Sequence, residues 1–274
     1  MGDTKVQIEE IEELPTHRFY FSYQFLRSDV SYERLIGENT INELYIDMYS
    51  YYEESLGLLR STRKLFETIN KDIQAFEERY REIGEKIQKR KEECETEEDF
   101  ADYEIVLSRY LERQNLYYRD RDIEINAFSS GMIVQLLSLF ESTLHSICKK
   151  LMESDQNLQD IKQVCSRDKG SVKYLKYMDK CLNPSVQNVL IGTPNYEKLC
   201  SWIAIRNNIV HNNNEFREEL NNNIKKHGFS VNKLRNKFLF NKDSIQELAD
   251  ICGITMDIIV EQKLRLHFME LRKR

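Results

Sequence analysis

The residues of this chain best suited to chemistry are Arg206 and His211, which stand close together in the segment Tyr196–Phe216. An imidazole can accept and donate a proton near neutral pH, and a guanidinium presents a planar set of donors to anionic oxygens. Such a pair suits cleavage of an RNA phosphodiester, because the ribose 2′-hydroxyl is an internal nucleophile and the five-coordinate phosphorus of the transition state gathers negative charge. The products of that reaction are a 2′,3′-cyclic phosphate and a 5′-hydroxyl.

The pattern around this pair predicts a helix. Thr193 can cap the free N–H groups at a helix start, and Pro194 fits the first helical position, where an N–H would be unpaired anyway. Apolar residues then recur at close to helical spacing, at Leu199, Trp202, Ile203, Ile205, Ile209 and Val210. The run Asn212–Asn214 ends the pattern, because asparagine competes for backbone hydrogen bonds and tolerates left-handed geometry. We therefore expect Arg206 inside a helix and His211 in its last turn.

Arg206 and His211, with the polar Asn207 directly after the arginine, resemble the R-x4-6-H signature of the HEPN superfamily. The resemblance covers mainly residues 126–274. It implies that the arginine and histidine of two protomers line one cleft at a homodimer interface, with Asn207 as a polar support for the arginine or the phosphate. It also implies a metal-independent endoribonuclease that acts on RNA, needs no cofactor, and serves as a toxin or anti-phage defence effector. An antitoxin or other regulatory protein is then an expected partner.

HEPN-like proteins often carry an acidic residue on an earlier helix near the motif arginine. Glu141 is the candidate here, because it is the only formally charged residue in the apolar stretch Met132–Cys148. A buried carboxylate without a partner is costly, so Glu141 either faces outward or pairs with a cation, for which Arg206 is the attractive choice. His145 shares a helical face with Glu141 and is expected to be its neighbour rather than a second catalytic imidazole.

The spacing of the motif also constrains its geometry. Five residues of an ideal helix rotate by about 500°, so Arg206 and His211 point roughly 140° apart. One copy therefore makes a poorly convergent site unless the helix unwinds near His211, whereas two copies about a two-fold axis bring both pairs into one cleft. In the alternative interpretation, His211 only interacts with the helix dipole and Arg206 only pairs with Glu141. The chain would then be a non-catalytic helical module for dimerisation, nucleotide sensing or inhibition of a partner.

The chain as a whole has the pattern of an all-α protein. Apolar residues three and four positions apart persist from Ile41 to Ile87 and again from Phe100 to Leu151, and the polar stretch Glu92–Asp99 separates the two runs. Two such helices with a short connection form an antiparallel hairpin. The hairpin either only contributes to the core or also contacts a partner with its tip. A kink is expected at Ser129–Gly131. The expected domains are an N-terminal arm (1–40), which includes the aromatic segment 19–25, a long helical hairpin (41–125) and a HEPN-like domain (126–274).

The segment after the motif, Lys225–Lys242, is basic, contains no acidic residue and holds Gly228 and two short apolar runs. This pattern favours a β-hairpin or an irregular arm beside the motif. A basic strip would concentrate a polyanion locally, so the candidate RNA-binding residues are Lys225, Lys226, Lys233, Arg235 and Lys237. A merely exposed, solvating arm is the alternative. Asp243-Ser244 is expected to cap a final helix, with a small interruption near Gly253.

Composition limits the remaining classes of function. A formal net charge of −6 argues against a protein that coats nucleic acid non-specifically, but it leaves room for a local basic cleft. The 6 cysteines are scattered without metal-like spacing, so we expect reduced thiols, no metal site and a soluble, cytoplasmic protein. We find no apolar run long enough to span a bilayer and no secretory signal, and we expect no membrane partner. Phosphate-loop, dinucleotide-binding, serine-hydrolase and zinc-protease motifs are missing from the sequence.

Overall fold

The computed structural model describes residues 38–182, 188–220, 228–232 and 235–267, without the side chains of residues 38–42 and 45. The aromatic segment 19–25, almost all of the expected arm, and Lys225, Lys226 and Lys233 lie outside the described residues.

A long helical hairpin forms the first part of the described chain. Helix α1 spans Glu38–Glu92 and helix α2 spans Glu97–Ser154. Thr96 caps α2: its hydroxyl accepts the N–H of Asp99, and the Asp99 carboxylate accepts the N–H of Thr96. The predicted antiparallel hairpin and the predicted turn region are therefore confirmed. Helix α2 is continuous through Ser129–Gly131, and the kink expected there stays a prediction.

The rest of the described chain is mostly helical. The short helix α3 (Ile161–Val164) and helix α4 (Gly170–Cys181) are followed by α5 (Pro194–Asn212), which carries the motif. A 3₁₀ turn at Glu218–Leu220 then leads to the strands β1 (Ser230–Asn232) and β2 (Lys237–Leu239). The two strands pair antiparallel with Ser230 opposite Leu239, so the predicted β-hairpin after the motif is confirmed.

The final described helix differs from the prediction at both ends. Helix α6 spans Lys242–Ile258, and Asn241 caps it together with Ser244 in a reciprocal capping box, so the predicted cap at Asp243-Ser244 is wrong by two positions. The helix passes through Gly253 without interruption. This glycine is buried, and packing compensates for a helix cost of about 1 kcal/mol. The irregular segment comes later, as a π-helical stretch at Ile259–Leu264.

One hydrophobic core joins the base of the hairpin to the later helices. Its members come from the first half of α1, the second half of α2, and from α4, α5 and α6, and include Leu44, Phe140, Leu175, Trp202 and Leu248. Phe66 is the last residue of α1 in this core. The expected boundary between hairpin and bundle, at residue 125, falls inside the continuous helix α2. The base of the hairpin is thus part of the same packed body as the motif helix.

Beyond this core the hairpin is held by stacked aromatic rings. The ring of Phe76 on α1 lies parallel to that of Tyr117 on α2, with centroids 3.6 Å apart. Tyr80 stacks on Phe76 at 4.0 Å, and Tyr110 donates a hydrogen bond from its hydroxyl to the carbonyl of Tyr80. Gly84 makes room for Tyr110, since a Cβ at this position would stand 3.0 Å from the Tyr110 hydroxyl.

A buried ion pair fastens the π-helical segment to α4. The Nζ of Lys263, which is fully buried, lies 3.1 Å from Asp179 Oδ1 and donates to the carbonyls of Asp179 and Leu182. The same carboxylate accepts the backbone N–H groups of Asn188 and Leu190. Lys263 and Asp179 are 0% and 3% exposed, so their bonds offset the cost of removing the two charges from water.

Helix α2 is, by length and composition alone, apolar enough to cross a membrane, contrary to our reading of the sequence. In the structure 39% of its most apolar window is buried, and the buried residues follow one stripe that includes Ile133, Leu137 and Leu144. The core helix of a water-soluble protein meets the same criterion, so this single helix is weak evidence for a membrane span.

Candidate functional site

The motif helix α5 begins and ends where the sequence predicts. Thr193 is its N-cap, with the hydroxyl accepting the N–H of Tyr196 at 3.1 Å, and Pro194 is the first helical residue. Asn213 ends the helix in the left-handed conformation, with a φ of 51°. Leu199, Trp202 and Ile205 are buried in the core. The functional side chains therefore stand on a helix that is fixed at both ends.

Two buried asparagines fasten the end of α5 to the β-hairpin. Asn208, which is 3% exposed, donates from Nδ2 to the carbonyl of Glu215 at 2.7 Å. Asn214 donates from Nδ2 to the carbonyl of Phe238 at 3.0 Å, and Glu215 forms a bridge with Lys237. With these bonds in place, α5 stays helical up to Asn212. The helix therefore does not unwind to bring His211 toward Arg206.

Arg206 and His211 both lie outside the core. Arg206 is half-buried, and its Nη1 donates to Asn207 Oδ1 at 3.1 Å. His211 is exposed. Within the part of the chain that the structure describes, no carboxylate lies within 4 Å of Arg206, and His211 makes no hydrogen bond. Both side chains are available to a ligand.

The continuous helix keeps this pair apart within one protomer. Arg206 and His211 remain roughly 140° apart around α5, and the arc between them includes Ile203, Asn207 and Val210. Val210 is 50% exposed. The chain thus presents a solvent-facing strip with a cation on one side, an imidazole on the other and apolar side chains between.

Glu141 does not pair with Arg206, so this prediction is wrong. Its carboxylate lies instead beside Gly170 at the first turn of α4, where a Cβ would stand 3.4 Å from Oε2. Gly170 has a φ of +60° and leaves room for the carboxylate, and the positive end of the α4 dipole attracts it. Burial raises the pKa of the neighbouring Tyr174 hydroxyl, and the charge of Glu141 raises it further. His145 packs on the ring of Tyr174, with centroids 5.4 Å apart.

Two of the candidate RNA-binding residues can be placed. Arg235 and Lys237 belong to the β-hairpin and are both half-buried, and neither has an ion-pair partner in the described ranges. Their side chains line a cleft of about 810 Å³ between the middle of α2, the end of α5 and the β-hairpin. Ile209 and Asn213 of α5 line this cleft, whereas Arg206 and His211 do not. The predicted catalytic pair therefore lies on a different surface of the chain from Arg235 and Lys237.

The contribution of α2 to this cleft was missed in the sequence. Asp122, Ile123, Asn126, Ala127, Ser130 and Gly131 form one stripe of the helix and make a wall of the cleft, with Arg119 one turn earlier. The signal was the spacing of the small residues Ala127, Ser130 and Gly131 on one helical face. We interpreted two of them as the cause of a kink, but their small size leaves a groove.

The six cysteines are free, and none of them belongs to either surface. Burial raises the pKa of the Cys148 and Cys252 thiols far above the ordinary range, and it raises those of Cys165, Cys181 and Cys200 as well. Such thiols stay protonated and are poor nucleophiles. Among the side chains that the structure describes, no three His, Cys, Asp or Glu residues come together as a metal-ligand set.

The fold and the two surfaces define an all-α chain with a long hairpin, a motif helix and a basic cleft. No protein-family model, curated protein or solved structure matches this chain.

Proposed function

We propose that the chain is a HEPN-type endoribonuclease whose active cleft forms between the α5 helices of two copies. The observation that carries this proposal is the placement of Arg206 and His211: both side chains lie outside the core, and neither has a carboxylate partner in the described chain. A purely structural arginine would be expected to pair with an acidic residue such as Glu141, and that carboxylate lies at α4 instead.

A two-fold symmetric dimer would bring together the side chains of Arg206 and His211, which point apart on one helix. The apolar side chains Ile203 and Val210 lie between Arg206 and His211, and covering them by a second copy would remove exposed apolar surface from water. A two-fold axis through this strip would place the arginine of each copy near the histidine of the other. The resulting gap would hold two guanidinium groups and two imidazoles around one phosphodiester.

The proposed reaction uses the 2′-hydroxyl of RNA as nucleophile. One imidazole takes the 2′-hydroxyl proton, the O2′–P bond forms, and the P–O5′ bond breaks as a protonated imidazole donates a proton to O5′. Arg206 donates to the non-bridging oxygens, where negative charge increases in the transition state. The bond from Arg206 Nη1 to Asn207 Oδ1 orients the guanidinium for this role.

The decisive experiment measures RNA cleavage by the purified full chain in buffer with EDTA. We expect products with 2′,3′-cyclic phosphate and 5′-hydroxyl ends, and we expect His211→Ala and Arg206→Ala to lower the rate by about 100-fold or more.

Two exposed residues provide matched controls for this experiment. His145→Ala removes an imidazole that packs on Tyr174, and Arg217→Ala removes an exposed guanidinium near the end of the motif helix. Both variants should cut RNA at the rate of the parent chain. A His211→Ala protein that is folded by circular dichroism and still cuts at the parent rate would eliminate the nuclease proposal.

The second candidate is a non-catalytic helical dimerisation module. The exposed Val210 favours it, because an apolar side chain in the middle of the strip suits a protein–protein contact with or without chemistry. Under this proposal the parent chain associates but leaves RNA intact, so the cleavage assay separates the two candidates.

A further inference from the structure

The cleft beside the motif helix has the size of a small-molecule site. It measures about 810 Å³, within the range of roughly 300–1,000 Å³ that is common for ligand pockets. Three separate parts of the chain form it: the middle of α2, the end of α5 and the β-hairpin. The bonds from Asn208 and Asn214 fix the last two parts to each other, so most of the cleft is already in place without a ligand.

The lining of the cleft includes three cations. Arg235 and Lys237 are half-buried and lack an ion-pair partner in the described chain, and the exposed Arg119 lies at the rim. Asp122 is the single acidic residue in the lining. Half-buried cations have lost part of their hydration, and a bound anion would compensate for that loss. In a chain with a net charge of −6, such a concentration of positive charge indicates an anionic ligand.

The cleft also exposes apolar side chains, on α2 and on β2. Ile123 is 48% exposed and Leu239 is 39% exposed, and both line the cleft together with Ile209. Asn126 lies beside them, and its Oδ1 accepts the N–H of Phe240 at 3.0 Å. This bond orients the Asn126 side-chain amide so that its Nδ2 can donate to a ligand.

We propose that this cleft binds a nucleoside phosphate. The phosphates contact Arg235 and Lys237, and the base lies against Ile123 and Leu239 with a polar edge toward Asn126 Nδ2. A sugar phosphate would leave the side chains of Ile123 and Leu239 in water, and inorganic phosphate would leave most of the cleft empty. The ligand is either a free nucleotide or one unit of an RNA strand. The site is separate from Arg206 and His211, so the proposal does not depend on the nuclease chemistry.

The test uses the full chain and two probes, the fluorescent N-methylanthraniloyl derivative of ATP and a short single-stranded RNA with a 5′-fluorescein. Both are titrated into the parent chain and into His211→Ala, which keeps the RNA intact. Arg235→Glu with Lys237→Glu reverses the charge of the cleft. Gly131→Phe fills it, because no heavy atom lies within 4 Å of a Cβ added at this position.

Each cleft variant has a matched control elsewhere. Lys71→Glu with Arg79→Glu makes the same charge change on an exposed part of the hairpin, and Gly57→Phe adds the same side chain at another open helical glycine. We expect each cleft variant to weaken binding by about tenfold or more and each control to change it by less than about twofold.

The two probes distinguish the sources of the ligand. Binding of the ATP derivative with the variant pattern above assigns the cleft to a free nucleotide, and binding of the RNA alone assigns it to one unit of a strand. Both results support the proposal. Binding of neither probe, or equal loss in cleft variants and controls that remain folded, overturns it.

Discussion

Lys263 is buried more completely than a charged side chain usually is. Its ammonium group has no exposure, and Asp179 and two backbone carbonyls provide its bonds. The Asp179 carboxylate in turn holds the N–H groups of Asn188 and Leu190 on the far side of residues 183–187. A single side chain therefore connects the π-helical segment, the end of α4 and the approach to the motif helix.

Lys263→Ala should lower the free energy of unfolding by about 3–5 kcal/mol, because it leaves the buried Asp179 carboxylate without a cation. Urea denaturation followed by circular dichroism measures this loss. Lys198→Ala is the control: Lys198 pairs with Glu247 at 3.0 Å on the surface, and its loss should cost less than about 1 kcal/mol. Similar losses in the two variants would contradict a special role for the buried pair.

The roles of single polar residues were the hardest feature to predict from the sequence. Asn207 follows Arg206 and bonds to it, whereas the adjacent Asn208 is buried and fastens Glu215. Both residues are asparagines in one helix. The hydrophobic pattern alone does not predict which of the two becomes buried when the following segment packs on the helix. Glu141 was paired with the wrong group for a similar reason, because the turn at Gly170 that accommodates it is distant in sequence.

The part of the hairpin beyond Phe66 lies outside the main hydrophobic core and buries few side chains. The stack of Phe76, Tyr80 and Tyr117, and the bond from Tyr110 to the Tyr80 carbonyl, supply contacts between its two helices. These contacts matter because most helical stability in proteins comes from packing of one face.

Phe76→Ala should loosen this part of the hairpin while the shared core stays intact, since a stacked pair contributes about 0.5–1.5 kcal/mol beyond the area it buries. Hydrogen–deuterium exchange should rise in residues 70–120 and stay unchanged in α5 and α6. Ile105→Ala, at a position that is 51% exposed, should leave exchange unaltered. Faster exchange throughout the chain would show that the hairpin and the core unfold as one unit.

The elements themselves were largely predictable, because strong local signals specify them. The Thr193 cap, Pro194, the polar turn and the asparagines after α5 act over a few residues, and the structure confirms the helix limits that they predict. Gly253 misled the prediction because its helix cost is local, whereas the packing that overrides it is not. The cleft could not be predicted for the same reason: its α2 wall is about eighty positions or more from the other two walls in the sequence.

At the scale of the whole molecule, the proposed function requires two copies. Val210→Asp should abolish association, because it places a charge in the middle of the strip between Arg206 and His211. Light scattering coupled to gel filtration measures the mass, and RNA cleavage should disappear together with the dimer. Ile105→Asp makes the same kind of change on the outer part of α2 and should affect neither property.

Mixing two inactive variants tests whether the site is shared. A dimer of one Arg206→Ala chain and one His211→Ala chain keeps one guanidinium and one imidazole on opposite chains, so the mixture should regain part of the activity. A mixture that stays inactive, although the variants form mixed dimers, would contradict the shared cleft.

The hairpin also has a mechanical consequence. The part of α1 beyond Phe66 is about 40 Å long, so a rotation of about 10° at its base would move the far end by roughly 7 Å. This part of the hairpin is a lever arm, and its base packs in the same core as the motif helix. Cys94 lies in the turn at its far end and is partly exposed. A spin label at this thiol would convert small rearrangements around a bound nucleotide or RNA into displacements of several ångströms.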